Sequence, residues 1–171
     1  MTTALYVGRF QPFHNGHLKI IQEILKSHSH VIIGIGSAQG KNTKENPFSA
    51  AERLAMIKLA LKEAGLDLKT FTFIKIPDVF DDVKWIDSVL KISPLFDVAY
   101  TNNDLVKYCF QFKNVKTRGT LYFAPYKGEL IRKRISKGKP WEDFVPKAVY
   151  DYIVKIKGDA RIKKISTLRP K

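Results

Sequence analysis

The sequence predicts an α/β fold: a doubly wound parallel sheet of about five strands, helices on both faces and helices at the C-terminal end. Three observations predict it. Short apolar runs alternate with segments of helical period along most of the 171 residues. The first of these runs ends in glycine and passes straight into a turn rich in proline and histidine. No run approaches the ~18 apolar residues that span a bilayer. Strands and helices alternating at this spacing make right-handed crossover units, which leave a sheet covered on both sides.

"TALYVG" (Thr3–Gly8) reads as a buried strand. Leu18, Ile21, Ile24 and Leu25 fall on one side of a helix over Leu18–Ser27. "HVIIGIG" (His30–Gly36) is a second strand, and the polar residues 37–48 with their proline are a loop. Ser49 precedes Glu52 by three, the spacing of a capping box. The helix that follows carries Ala50, Leu54, Ile57, Leu61 and Ala64 as one stripe, and Gly65 ends it. Thr70–Ile76 is a third strand. Pro77 and "DVFDD" form a loop ahead of a short helix at Trp85–Ile92. Asp97–Thr101 is a fourth strand, Asn102–Phe110 a brief helix, and Gly119–Ala124 a fifth strand. Gly128–Lys137 and Pro146–Lys157 are two more helices. The division expected is one domain over 1–157 and a basic tail over 158–171.

Hydrophobic residues at 44% and charged residues at 27% describe a globular chain. The single cysteine, Cys109, excludes an internal disulfide and an all-cysteine zinc site. The N-terminus shows no basic stretch followed by an apolar core, so a reducing cytoplasm is the expected location. The formal charge of +14 is uneven. Residues 1–112 carry 13 basic and 11 acidic side chains, whereas residues 113–171 carry 17 and 5. That C-terminal field attracts polyanions such as nucleotides. Its basic residues are not interleaved with an aromatic platform, so no nucleic-acid partner is expected.

In doubly wound sheets ligands sit beyond the carboxyl ends of the strands. That rule places Gly8–His17, Ser37–Phe48, Pro77–Trp85 and Thr101–Asn103 along one rim. The chemistry concentrates in "GRFQPFHNGH" (Gly8–His17). Gly8 allows a sharp turn and a close backbone approach, and Pro12 stiffens the turn. His14 and His17, three apart, share a face if a helix begins near Asn15. A helix start offers free N–H groups and a positive dipole end, which suits phosphate. Arg9 adds a fork of donors. A His-x-x-His pair could ligate zinc, but no third ligand follows at metal spacing, and no metal-ligating residue is assigned.

The string Gly8–His17 resembles the G-x-F-x-P-x-H-x-G-H signature of the nucleotidyltransferase superfamily, with Gly8, Arg9, Phe10, Gln11, His14, Gly16 and His17 in its positions. Arg9 and Gln11 make it similar to the archaeal type of nicotinamide-nucleotide adenylyltransferase. "GSAQ" (Gly36–Gln39) with "ENPFSAAER" (Glu45–Arg53), "IPDVFDDVKW" (Ile76–Trp85) and "YTNND" (Tyr100–Asp104) extend the likeness over roughly residues 4–150. The resemblance implies a Rossmann-like fold and transfer of AMP from ATP to nicotinamide mononucleotide (NMN), giving NAD and pyrophosphate. Mg²⁺ would accompany ATP. The reaction would run by in-line attack without a covalent enzyme intermediate, so the protein's task is alignment and charge stabilisation.

By similarity, His14 and His17 meet the ATP phosphates, with Arg9 and Gln11 beside them. Ser37, Asn46 and Arg53 belong to the loop and helix flanking the substrates. Trp85 stacks on the nicotinamide ring, and Asn102 and Asn103 serve the adenosine or its ribose. Arg132 is expected to hold the β- and γ-phosphates. The resemblance also implies a homo-oligomer, often a hexamer, and no membrane association. One departure stands out. The family's late signature carries hydroxyls ahead of its arginine, but "YKGELIR" (Tyr126–Arg132) keeps Gly128 and Arg132 while placing Lys127 and Glu129 at the hydroxyl positions. A glutamate repels phosphate where a hydroxyl would donate to it. Two other readings remain open: a related transferase acting on another phosphorylated acceptor, such as pantetheine phosphate or FMN, and a basic nucleic-acid-binding module.

Overall fold

The computed structural model describes residues 2–168 apart from Phe80, Tyr122 and Ala124. Five parallel strands form one sheet in the order β3-β2-β1-β4-β5. They are β1 (Thr3–Gly8), β2 (His30–Ile35), β3 (Phe71–Lys75), β4 (Val98–Tyr100) and β5 (Thr117–Arg118). The helices are α1 (Asn15–Leu25), α2 (Ala50–Glu63), α3 (Asp82–Ile92), α4 (Asp104–Phe112), α5 (Gly128–Ser136), α6 (Lys147–Lys155) and α7 (Gly158–Thr167).

Alternation along the central strands builds two separate cores. Ala4, Tyr6, Val31, Ile33 and Ile35 point to one face, where α1, α2, α5, α6 and α7 supply Ile24, Met56, Ile131, Val149 and Ile162. Leu5, Ile32 and Ala99 point to the other, covered by Ile86 and Val89 of α3 and Cys109 and Phe110 of α4. With period 2 and both faces apolar, the strands read as continuous hydrophobic runs. The register Leu5↔Ile32 and Leu5↔Ala99 keeps each face level across the sheet. No described helix is long and apolar enough to cross a membrane.

Two segments differ from the sequence reading. The fifth strand lies at Thr117–Arg118, before the stretch Gly119–Ala124 where the apolar run put it; of that stretch, Tyr122 and Ala124 lie outside the described residues. The Asn102 side chain explains the early end. Its Oδ1 accepts from Thr120 N at 2.7 Å and its Nδ2 donates to Thr120 O at 3.0 Å, replacing the ladder bonds a longer strand would make with β4. The segment read as a tail from Gly158 is helical over Gly158–Thr167, with Ile162 buried in the larger core. Arg169, Pro170 and Lys171 lie outside the described residues.

Chain order runs outward from β1 to β2 and β3, then resumes at β4 on the other side. The switch point, where such sheets open a crevice, therefore lies beyond Gly8 and Tyr100.

Candidate active site

Two cavities meet at that switch point, sharing Val7, Gly8, Thr101 and Asn103. One, of about 350 Å³, runs past His14, Gly16 and His17 to Asn102, Tyr126, Lys127 and Gly128. The other, of about 410 Å³, is lined by Arg9, Gly36, Ser37, Asp78, Asp82 and Trp85. Together they have the size and polarity of a site for two small ligands placed end to end.

His14 is the N-cap of α1, and His17 is its third residue. The two close a capping box built from imidazoles. His17 N donates to His14 Nδ1 and His14 N donates to His17 Nδ1, each at 3.3 Å. A ring nitrogen that accepts from an N–H carries no hydrogen, so both rings are held as the Nε2–H tautomer. The rings stack at 3.5 Å between centroids and 16° between planes, and Phe10 and Phe13 pack on His17 at 4.8 and 5.4 Å. Burial lowers the His14 pKa to about 3, and burial with the neighbouring His14 holds His17 well below the usual range. The pair is thus two neutral donors at a helix N-terminus, facing the 350 Å³ cavity.

The turn before them is held by internal bonds. Phe10 has φ +52° and is 1% exposed, and the Gln11–Pro12 peptide is cis. The Phe10 ring fills the space a Cβ on Gly8 would need, at 2.9 Å. Gln11 is turned inward. Its Oε1 accepts from Phe48 N at 3.0 Å and its Nε2 donates to Phe48 O at 2.8 Å, with Asn46 Oδ1 at 3.4 Å. Its amide therefore fixes the 37–48 loop, and its backbone carbonyl accepts from Arg132 Nη1 at 2.8 Å. Asn46 sits in that loop beside Gln11, away from both cavities at the switch point.

Arg53 is also turned inward and has no exposed surface. It donates to the carbonyls of Arg9 at 2.7 Å, Gly36 at 2.6 Å, Ser37 at 2.9 Å and Ser49 at 3.3 Å. Burial brings its pKa down to about 10, with Asp78 opposing and Arg9 adding to the shift. The resemblance places Arg53 on the helix flanking the substrates; in the structure its guanidinium staples three loop ends together. Ser37, buried at φ +47°, presents its backbone to this staple and lines the second cavity.

Arg9 stays exposed in the second cavity, which the half-buried Trp85 also lines, braced edge-on by Phe110 at 6.2 Å. Asn103 caps α4 through Val106 N at 3.2 Å, and Asn102 is committed to Thr120, so both amides shape the rim between the cavities. Lys127 and Gly128 begin α5 at the far wall. A Cβ on Gly128 would stand 2.9 Å from Gln11 O, and one on Gly16 2.8 Å from Tyr126 Cβ. These two glycines let α1 and α5 approach closely enough to share one groove. Behind it, Arg132, Glu129, Lys133 and Lys44 line a third cavity of about 420 Å³. Burial, then Arg9, lowers the Arg132 pKa.

Tyr126 and Phe48 were not singled out as individual site residues in the sequence. Tyr126 lies in the late signature and packs over Gly16, with Lys19 Nζ at 5.0 Å from its ring. Phe48 acts through its backbone, which no residue type reveals. Among the described residues no group of three His, Cys, Asp or Glu side chains is placed to hold a metal ion.

Nicotinamide-nucleotide adenylyltransferase of Thermococcus onnurineus is 42% identical over 166 residues, 96% of this chain and 88% of that protein. The protein of the same name from Methanolobus tindarius is 41% identical over 97% of this chain and 95% of its own length. A crystal structure of a bifunctional NMN adenylyltransferase/ADP ribose pyrophosphatase from Francisella tularensis, complexed with AMP and a manganese ion, superposes with a TM-score of 0.82 at 26% identity. That match covers 96% of this chain but 51% of the bifunctional protein, so this chain spans about half of it. A putative nicotinate-nucleotide adenylyltransferase from Vibrio parahaemolyticus, 15% identical over 90% of this chain and 99% of its own, shares the fold with a TM-score of 0.64. The cytidylyltransferase-like family model matches residues 5–167, and with relatives this similar over nearly its whole length the chain belongs to that family.

Proposed function

We propose that the chain is a nicotinamide-nucleotide adenylyltransferase, moving AMP from ATP onto NMN. An oxygen of the NMN 5′-phosphate attacks the α-phosphorus of ATP in line. The new P–O bond forms as the bond from the α-phosphorus to the bridging oxygen breaks, and pyrophosphate leaves with that oxygen's electron pair. No side chain needs to accept or give a proton. The observation that carries this reading is the stacked pair His14/His17, which lines the groove and whose Nδ1 atoms are taken by backbone N–H groups, leaving the Nε2–H groups for a ligand. Charge that builds on phosphoryl oxygens in the transition state meets donors already in place.

In this reading ATP lies in the cavity between α1 and α5, its β- and γ-phosphates toward Gly128 and Arg132. NMN lies in the other cavity, its phosphate near Arg9 and its ring on Trp85, an electron-poor ring meeting an aromatic face. A divalent ion, Mg²⁺ in this reading, enters with the triphosphate as part of the substrate, mainly ligated by phosphate and water. The enzyme would act in the cytoplasm. A homo-oligomer is supported by Leu105, Tyr108 and Phe112, which leave an apolar stripe exposed on α4.

The test is mass spectrometry of the dinucleotide formed from ATP with NMN, nicotinic acid mononucleotide, pantetheine phosphate or FMN as acceptor. NAD from ATP and NMN is the expected product. Turnover with pantetheine phosphate or FMN alone would overturn the assignment of the acceptor.

A further inference from the structure

One side chain of the last helix reaches the loop that holds the active-site turn. Arg161 of α7 donates to both carboxylate oxygens of Glu52, at 2.9 and 2.8 Å, and to the carbonyl of Pro47 at 3.0 Å. Its guanidinium also lies 5.9 Å from the Phe48 ring centre. Glu52 in turn accepts from Ser49 N at 2.8 Å. The hydrogen bonds of this ion pair therefore fall on residues 47–49 and on the cap of α2. Gly158, the first residue of α7, lies so close to Phe48 that a Cβ there would be 2.6 Å from Cε1.

Phe48 is where the α7 contacts and the catalytic turn meet. Its backbone N–H and C=O hold the two ends of the Gln11 amide, and the Gln11 carbonyl holds Arg132. We infer that Arg161 is a positioning residue for ATP: acting through Phe48 and Gln11, it sets the place of Arg132 at the phosphate end of the groove. The inference rests on the proposed function for the identity of the ligand. The pair is 26% and 20% exposed, whereas Lys147–Asp151 lies within one helix at 79% and 55%. A lysine at 161 supplies a point charge and cannot make the three-fold fork contact.

The experiment compares wild type, Arg161→Ala, Arg161→Lys and a control, Val149→Ala. Val149 is buried in α6 and lies outside this chain of contacts, so the control lowers Tm without loosening the loop. The readouts are the Kd for ATP with Mg²⁺ by calorimetry, and KM for ATP and for NMN separately. Arg161→Ala raises Kd and KM for ATP roughly tenfold, the scale of a lost charge-assisted contact that aligns a binding group. KM for NMN stays within about twofold, because Trp85 does not lie on this path. Arg161→Lys recovers Tm more than it recovers ATP binding, and it carries the test if the alanine variant does not fold. An unchanged Kd for ATP in both variants overturns the inference, and so does an equal rise in Val149→Ala. Wild-type protein that binds ATP yet forms no dinucleotide would sink the proposed function, while the Kd comparison would still decide for or against Arg161.

Discussion

The two walls of the groove between α1 and α5 are built on opposite plans. The turn from Gly8 to His17 is held mostly from within: the Phe10 ring lies under Gly8 and the imidazoles cap one another, with the Gln11 amide tied to Phe48. The start of α5, from Tyr126 to Arg132, has no side-chain cap hydrogen bond and is joined to that turn by three contacts. Those contacts are Arg132 to the Gln11 carbonyl, Gly128 against the same carbonyl, and Tyr126 against Gly16. The first wall is preorganised by contacts among its own ten residues and by ties to Phe48 and Arg53, whereas the second is placed across a separation of 121 in sequence. Donors that act in the transition state belong on the stiffer wall, and groups that grip leaving phosphates can sit on the more adjustable one.

That contrast can be broken or sharpened by measurement. His17→Ala leaves the fold intact and lowers kcat by about 10²–10³, the usual loss for one preorganised donor. Near-normal kcat would place the chemistry elsewhere. Gly128→Ala drives a methyl against the Gln11 carbonyl and pushes α5 away, so KM for ATP rises about tenfold while kcat falls less. A fall confined to kcat would mean that the second wall also acts in the transition state.

The pH dependence tests the stiffness of the first wall. His14 ionises near pH 3 in the fold against an ordinary 6.5, so below 6.5 the unfolded chain takes up a proton that the folded chain refuses. Stability is full above that value and is lost at up to about 1.4 kcal/mol per pH unit as the pH falls toward 3. Tm measured from pH 7.5 down to 4.5 should fall, and His14→Asn, which can still cap α1, should flatten the slope. Trp85→Ala, in neither wall, raises KM for NMN about fivefold and leaves KM for ATP unchanged. Equal effects on both would remove the ring from the nicotinamide. The smallest effect belongs to Glu129→Thr, which restores a hydroxyl on the second wall and lowers KM for ATP by about two- to threefold. No change would show that the acid at 129 lies clear of the triphosphate.

The same contrast explains what was legible beforehand. The first wall is mostly local: α1 starts at Asn15, the condition under which His14 and His17 share a face, three residues ahead of the Leu18 that the apolar period gives, and the Ser49/Glu52 capping box forms as the pattern predicts. Gln11 and Arg53 carry the chemistry that phosphate would want, yet backbone carbonyls and amides supplied by distant residues take their side chains instead. The fifth strand was misplaced because an asparagine side chain can mimic a ladder, which the apolar run Leu121–Phe123 does not reveal. Helix α7 was hidden by its lysines. One buried isoleucine and one arginine fork secure it, too little apolar surface to show as a periodic stripe.

Because burial keeps both imidazoles neutral, the pair offers the same donors to phosphoryl groups over a wide pH range. A site built this way needs no protonation step between turnovers, and like any catalyst it serves both directions, with the balance set by the concentrations of the nucleotides and pyrophosphate around it.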